Sequence, residues 1–486
     1  MWKSIRNSHP HQVDTKVADM KCFTTNSNAI VRRLDCFYYQ PDFVELEKKI
    51  SELTNKKLGD FIISIAGGAT PDKNEVDRYY TDSDNGVPFL RVQNVTPEGL
   101  NLENLVFINQ ETNNNMLKRS QVKEHYLVTK ITGVGRMAVS SVVPPGFEGN
   151  INQHLVAIKT KSPEVSRVLA AFLNSDIGER LASRRSTGGT RPALDYEALK
   201  AIPIIFEPQI VDIMQSAYSS KRQKEAEAQK LLDSIDEYLL GELKIHFDLK
   251  SRTTFVTYYK DLTGRLDPYF YYPEIDEIKE AIKKRFGEHK FAEVIDDIYR
   301  YPTFYGLEYQ TSGIPVIKGE NINKLGWIEL NQDFDYISSE IHDRFYRTKL
   351  KNGDLLFTVR GIIGKVGLFN GFVPEANINA NLIKISIKKD LGNPIFFCVF
   401  LNSSIGQALI QNLTSGQVQK TITVQDIKDI LIPLPTLEVQ NSISSEIQSR
   451  IMRADEIQKQ ANTEVDKAKA EVERLILGNR RDCKTR

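Results

Sequence analysis

Two stretches of the chain carry apolar residues every three to four positions with no Pro or Gly to interrupt them. The first runs from Pro208 to Gly241 and the second from Pro435 to Gly478. Pro before and Gly after are helix start and stop signals. In the second stretch Ile443, Ile447, Ile451, Ala454, Ile457, Ala461, Val465, Ala468, Val472 and Leu475 form the stripe. Their mean spacing is close to the ~3.5-residue coiled-coil period. Ile210, Ile213, Ala217, Lys224, Ala228, Leu231, Ile235 and Tyr238 follow a looser version, weakened by the polar run Ser219 to Gln229. At about 1.5 Å per residue, each predicted helix is roughly 50–60 Å long. Neither can bury its stripe alone. Antiparallel pairing with the other is one solution, since the chain crosses a folded unit and returns between them. Packing of each helix on its own globular unit is the alternative.

The pattern before each helix is different. Val87 to Val92, Val316 to Ile317, Leu355 to Val359, Val366 to Phe369 and Leu382 to Ile387 are short, β-prone runs bounded by turn residues such as Asn352-Gly353 and Asn370-Gly371, and they predict strands. Pro163 to Leu181 and Pro394 to Leu409 repeat at helical spacing. These runs occur twice. Gly86-Val87-Pro88-Phe89-Leu90-Arg91-Val92-Gln93-Asn94-Val95 has the form of Gly313-Ile314-Pro315-Val316-Ile317-Lys318-Gly319-Glu320-Asn321-Ile322, 227 residues on. Asn150-Ile151-Asn152-Gln153-His154-Leu155 and Asn377-Ile378-Asn379-Ala380-Asn381-Leu382 keep the same interval. Phe172-Leu173-Asn174-Ser175 and Phe400-Leu401-Asn402-Ser403 are 228 apart, as are Gly188 and Gly416. Arg33-Leu34-Asp35 and Arg265-Leu266-Asp267 each precede an aromatic cluster. Repeated matches in one order predict a duplicated α+β unit of roughly 170 residues.

Composition narrows the function. A chain of 486 residues is too long for one ordinary core, and a net charge of +1 gives no global sign of nucleic-acid binding, so any such site is local. Cys22, Cys36, Cys398 and Cys483 form no C-x-x-C pair, which fits a reducing cytoplasm rather than a disulfide or zinc framework. Residues 1 to 20 lack the apolar core of a signal peptide, and Ile395 to Leu401 is too short to span a bilayer, so no membrane partner is expected. No Asn-Pro-Pro-aromatic run occurs, Gly361 to Val366 has the wrong spacing for a phosphate-binding loop, and His9 and His11 have no ligand partners nearby. No metal site and no catalytic residue are expected.

What remains are paired polar and basic elements. Arg184, Arg185, Ser186, Thr187, Thr190 and Arg191 surround Gly188 and Gly189 in one copy; Thr414, Ser415, Gln417, Gln419 and Lys420 surround Gly416 in the other. Gly admits close backbone approach, hydroxyls reach phosphates, and Arg, Gln and Lys bond phosphates or base edges. A solvated turn fits these loops as well. Arg136 near Gly133 and Gly135, and Arg360 and Lys365 around Gly361 and Gly364, suit phosphate contact or a tight hairpin. Arg91 with Asn94, and Lys318 with Asn321, could project from a strand face. Asn150, Asn152, His154, Asn377, Asn379 and Asn381 could read adenine or satisfy interior backbone groups, the second being favoured. The Arg-Leu-Asp clusters read as packing sites with a local ion pair.

Taken in order, these motifs resemble the specificity (S) subunit of type I restriction-modification systems. The resemblance covers about residues 17 to 478 and rests on the Arg-Leu-Asp and Gly-x-Pro pairs, on Leu355-Leu356-Phe357-Thr358-Val359-Arg360-Gly361, on the two Asn-Ile-Asn runs, and on Ile430 to Pro435 leading into Val439-Gln440. The first copy departs from it, with Lys130-Ile131-Thr132-Gly133 where the second has Phe-Thr-Val-Arg-Gly. The implied fold is α+β, with two similar target-recognition domains separated by two long helices forming an antiparallel coiled coil. The expected layout is an N-terminal segment 1–32, recognition domain 33–208, helix 209–243, linker 244–264, recognition domain 265–436, helix 437–478 and tail 479–486. The implied partners are double-stranded DNA, two methyltransferase subunits that carry S-adenosylmethionine, and restriction/translocase subunits. This chain itself would bind no cofactor and catalyse nothing. Rival readings are the specificity partner of a type IIB-like enzyme, a coiled-coil adaptor for proteins, and an enzyme with a distributed active site. The long helices set a geometric expectation, because roughly 50–60 Å exceeds one DNA turn of about 34 Å. Deleting seven residues from both helices, in phase, is expected to shorten the unspecified gap in the methylated target; methylome sequencing of the deletion strain reads it, and an unchanged target rules out a ruler.

Overall fold

The computed structural model describes residues 23–25, 30, 33–72, 74–245, 254–258, 262, 268–300, 308–328, 334–414 and 421–478. His9, His11, Cys22 and the second Arg-Leu-Asp run, Arg265 to Asp267, lie outside them. The chain forms two compact units, residues 1–224 with 459–486, and residues 225–458.

The first unit holds helix α1 (Pro41–Leu53) and strands β1 (Ile62–Gly67), β2 (Tyr80–Thr81), β3 (Val87–Leu90), β4 (Val106–Ile108), β5 (Gln121–Val122), β6 (Leu127–Lys130), β7 (Ser140–Val142), β8 (Gly149–Ile151) and β9 (Leu155–Thr160). One sheet has the order β1-β9-β6-β7 and another the order β2-β4-β3-β8-β5. All but Lys159 of β9 is buried, as an inner strand covered on both faces requires. In the second unit β10 (Ile295–Arg300), β11 (Ile314–Ile317), β12 (Asp335–Ile337), β13 (Leu355–Thr358), β14 (Val366–Leu368), β15 (Asn377–Ile378) and β16 (Leu382–Ile387) form sheets β10-β16-β13-β14 and β12-β11-β15.

The duplication extends to register. β8 pairs in parallel with β3, Asn150 opposite Phe89 and Ile151 opposite Leu90. β15 pairs in parallel with β11, Asn377 opposite Val316 and Ile378 opposite Ile317. Each β1/β9 and β10/β16 ladder has a register shift at its start, between Ile62 and Ser64 in one and between Ile295 and Asp297 in the other. A bulge re-aims the strand end, and it does so at the same place in both copies.

The run predicted as one helix from Pro163 to Leu181 is two. Helix α2 (Pro163–Asn174) ends where α3 (Asp176–Arg185) begins. Ser175 between them has ψ 161°, and its hydroxyl caps α3 by accepting from Gly178 N. A β-carbon on Gly178 would lie 2.1 Å from the Phe172 carbonyl oxygen, so the tight bend excludes any side chain there. After α4 (Gln209–Leu243), the second unit repeats the break between α5 (Pro394–Asn402) and α6 (Ser404–Leu413), which are bent by 74° at Ser403. Apolar periodicity ran through both Ser residues and hid their capping role. The residue before each Ser has a further task. Asn174 Oδ1 accepts from Ser140 N at 2.9 Å and its Nδ2 donates to Ser140 O at 2.7 Å. Asn402 does the same to Val366, at 3.0 and 2.7 Å. Each amide thereby replaces the missing neighbour of the edge strand β7 or β14.

The long helices are α4 and α7 (Leu437–Ile476), of 35 and 40 residues. In the first unit Ile210, Met214 and Ala217 of α4 share a core with Val465, Ala468, Val472 and Ile476 of α7, while Ser220 and Lys224 bond Glu464. In the second unit Ile235, Leu239 and Leu243 share a core with Ile443 and Ile447. There Arg450 donates to Ser234 Oγ at 2.8 Å and stacks over Tyr238, and Ala228 meets Ala454 and Ile457. Within each unit low numbers on one helix meet high numbers on the other, so the packing is antiparallel. Both cores also contain sheet residues such as Ile158 and Phe357. Helix pairing and packing on the globular unit, which the sequence left as alternatives, operate together. Among the described residues no single helix is long and apolar enough to cross a membrane.

Asn402→Ala removes the partner of the Val366 N–H and leaves the Val366 C=O only the weak Cys398 thiol donor, next to the core. It is expected to lower stability by about 2–3 kcal/mol, measured by urea unfolding.

Candidate nucleic-acid interface

One end of the β1-β9-β6-β7 sheet gathers segments from four parts of the chain. Beyond β6 the backbone continues as a hairpin, residues 131–139, with Ile131 N donating to His154 O at 3.0 Å. His154 belongs to the turn 152–154 that joins β8 to β9. On the hairpin's other flank, Thr132 bridges Ala193, Gly133 N donates to Pro192 O, and Leu194 N donates to Ile131 O. Thr187 also bridges Ala193, closing the loop 187–193. The Gly-rich hairpin and the Thr187–Arg191 loop, separate in sequence, are therefore one surface. Gln153 and His154 border it: the His154 ring bonds the Thr132 hydroxyl, and Gln153 bonds Thr70. Thr187, Thr190 and Arg191 are exposed, as is Gln153.

The second unit rebuilds the frame. Val359 N donates to Asn381 O at 2.9 Å, as Ile131 does to His154. The hairpin between β13 and β14 carries Arg360, which is exposed. Lys365, at its return, donates to the carbonyl of Ile322 and so ties the hairpin to the β11 side. Thr414 ends α6, is buried, and donates to Gln411 O at 2.7 Å. Ser415, Gln417, Gln419 and Lys420 lie outside the described residues.

Several predicted contact residues are instead bound inside the fold. Arg184 and Arg185 are not in an open loop: they form the last turn of α3, and both are buried. Their guanidiniums take one oxygen each of the Glu47 carboxylate on α1. Arg33 donates to the carbonyls of Arg185 and Ser186, at 2.9 and 2.8 Å, and pairs with Asp35. That hydrogen bond from Arg33 holds the Asp35 carboxyl below its ordinary pKa. Tyr38 lies between the Arg33 and Arg184 guanidiniums, at 4.6 and 4.3 Å. The Arg-Leu-Asp cluster of the first copy is thus a packing site with an ion pair, clamping the helix from which the loop departs. Ser186 is buried and donates to Ser183 O.

Asn94 and Asn321 face inward too. Each caps a one-turn helix by accepting from Arg91 N or Lys318 N, at 2.9 and 2.8 Å, so neither presents its amide to solvent. Lys318 pairs with Asp335 and Glu320. Burial works against its charge, and the two carboxylates outweigh burial and raise its pKa. Arg91 Nη2 donates to Asn104 O at 3.2 Å. Arg136 braces the α2/α3 bend through Asp176 Oδ1 at 2.6 Å and the Asn174 and Ser175 carbonyls. Asn150 and Asn377 accept from the next backbone N–H in the strand and are fully buried, the interior role favoured from sequence. Among the described residues no group of His, Cys, Asp and Glu could hold a metal ion.

Residues 295–467 match the type I restriction modification DNA specificity domain. The chain is 28% identical over 193 residues to the type I restriction enzyme EcoBI specificity subunit of Escherichia coli, covering 39% of this chain and 40% of that protein. It is 22% identical over 467 residues to the putative type I restriction enzyme MjaX specificity subunit of Methanocaldococcus jannaschii, covering 92% and 99%. Over these spans the chain is similar to type I restriction enzyme specificity subunits. The crystal structure of the S subunit from M. genitalium aligns over 86% of this chain and 94% of that one, with 10% identity and a TM-score of 0.40.

Two residues of this surface, Gln153 and Thr70, are not among the candidates that the sequence offers. Gln153 sits between Asn152 and His154, in the Asn150-Asn152-His154 alternation, which favours an interior role for its neighbours. Its signal was the turn itself, where alternation stops and an exposed side chain points outward. Thr70 follows Gly67-Gly68; a β-carbon on Gly68 would lie 2.1 Å from the Ile151 carbonyl oxygen, which brings the Thr70 backbone close to the 152–154 turn. Removing the carboxylate from two buried guanidiniums leaves them uncompensated. Glu47→Ala is expected to cost about 3–5 kcal/mol of stability in a thermal or urea melt, without a charge being altered on the exposed loop.

Proposed function

We propose that this chain is the non-catalytic DNA-reading subunit of a type I restriction-modification complex. Each unit reads one half of a bipartite target, and the long helices dock methyltransferase subunits that carry S-adenosylmethionine. The restricting form adds translocating nuclease subunits. The observation that carries this reading is the recurrence of one hairpin-and-turn platform on two sheets of the same order and register, with different side chains on each. In the first copy the platform offers Gln153, Thr187, Thr190 and Arg191; in the second it offers Arg360. A repeated frame with divergent tips is what two half-sites of different sequence require. Gln can bond adenine at two atoms, while Arg serves guanine or phosphate. With Arg184, Arg185, Arg136 and Lys318 engaged internally, few of the candidate cations remain for phosphate contact. Partner subunits would then supply most of the electrostatic affinity, in accord with a net charge of +1.

Mapping adenine methylation across the genome with and without this chain tests the role. A bipartite motif is expected to lose its modification when the chain is deleted; an unchanged methylome would contradict the proposal. In the purified complex, Arg191→Ala and Arg360→Ala are each expected to weaken binding and to reduce the slope of log affinity against log salt by about one, if the contact is to phosphate.

A further inference from the structure

Val134 and Ile362 occupy the same place in the two hairpins, 228 residues apart, and are 77% and 74% exposed. Gly133 and Gly135 flank Val134 with φ of 120° and 82°; Gly361 precedes Ile362 with φ 76°, and Gly364 follows with 86°. At Gly135 and Gly361 a β-carbon would meet nothing within 4 Å, so these glycines serve the turn of the backbone and not a crowded contact. Each turn projects one β-branched aliphatic side chain into solvent. A single exposed apolar residue is ordinary. It returns at the corresponding position of the second copy, in a segment that keeps the preceding glycine and differs at the residue before it, Thr132 against Arg360. The second hairpin shows the distinction within itself, because Ile363 packs against the core while its neighbour Ile362 faces out.

The surroundings indicate what such a side chain meets. In the first unit the hairpin is bridged to the loop of Thr187, Thr190 and Arg191. In the second, exposed Arg360 lies two residues before Ile362. An aliphatic point beside hydroxyls and a guanidinium suits a DNA groove, where methyl groups and base faces lie between rows of phosphates. We propose that Val134 and Ile362 are apolar base-contact residues, one for each half-site, presented to the bases by the glycine turns. This assignment rests on the DNA-reading role proposed above and adds the residues through which each unit makes a neutral contact.

The test uses the complete complex of this chain with its methyltransferase subunits, on a duplex carrying the mapped target. Val134→Ala and Ile362→Ala are each expected to weaken binding roughly tenfold, the scale of losing most of a buried aliphatic contact. Val134→Thr and Ile362→Thr keep the branch point and are expected to weaken it too. The salt slope stays unchanged, since no charge is removed. The Val134 variants are expected to discriminate less against base changes in one half-site only, and the Ile362 variants in the other only. Wild-type affinity and discrimination in all four variants would overturn the proposal. So would weakening that follows a loss of methyltransferase binding in sedimentation, which would make the tips protein contacts. A wild-type complex that methylates no defined sequence would remove the DNA-reading role itself, and this assignment with it.

Discussion

Asn174 and Asn402 each commit both ends of one amide to a single residue of an edge strand, Ser140 or Val366. An edge strand has unpaired backbone groups and would otherwise be free to fray or to recruit another strand. Here the end of a helix supplies the pairing. The strand so held is the return arm of the hairpin that carries Val134 or Ile362. The helix can reach it because the chain bends sharply at Ser175 and Ser403, and the bend is possible because Gly178 and Gly406 have no side chain to strike the preceding turn. Cap, glycine, amide and hairpin are thus one dependent series, present twice.

The same economy shapes the electrostatics. A chain with nearly equal numbers of acids and bases could still hold a strongly basic surface if its charges were segregated. In the first unit four guanidiniums are engaged internally: two by Glu47, one by Asp176, one by the carbonyls of Arg185 and Ser186. They fix where the loops start and leave exposed Arg191 to act outward. Behind the first platform the guanidiniums are satisfied internally, and its outer part carries hydroxyls, the aliphatic Val134 and the exposed guanidinium of Arg191.

Much of the architecture was legible because it was written twice. Strand positions, the duplicated interval and both long helices follow from Gly-Pro punctuation and apolar spacing, and each has a counterpart in the sheets and helices observed. The α2/α3 break was not legible, since Ser175 sits where an apolar stripe continues on both sides and capping is decided by backbone geometry. The burial of Arg184 and Arg185 was not legible either. Their partner Glu47 is 137 and 138 residues away in sequence, and a run of Arg next to Gly and Thr has the same composition whether it faces solvent or a carboxylate. The platform itself lay between these cases. Its hairpin and loop were both singled out, but their meeting through Thr132 and Ala193 is a tertiary fact.

The first unit is discontinuous, taking its closing helical segment from residues 459–476. During synthesis residues 225–458 are a complete contiguous unit as soon as they have emerged. Residues 1–224, though made earlier, still expose Ile210, Met214, Ala217 and Tyr218 until Val465, Ala468, Val472 and Ile476 arrive. Order of emergence and order of completion are therefore reversed. The earlier half spends the whole translation of the later half as an unfinished core. A chain that lacks residues 465–476 lacks the core partners of Ile210, Met214 and Ala217 in the unit made first.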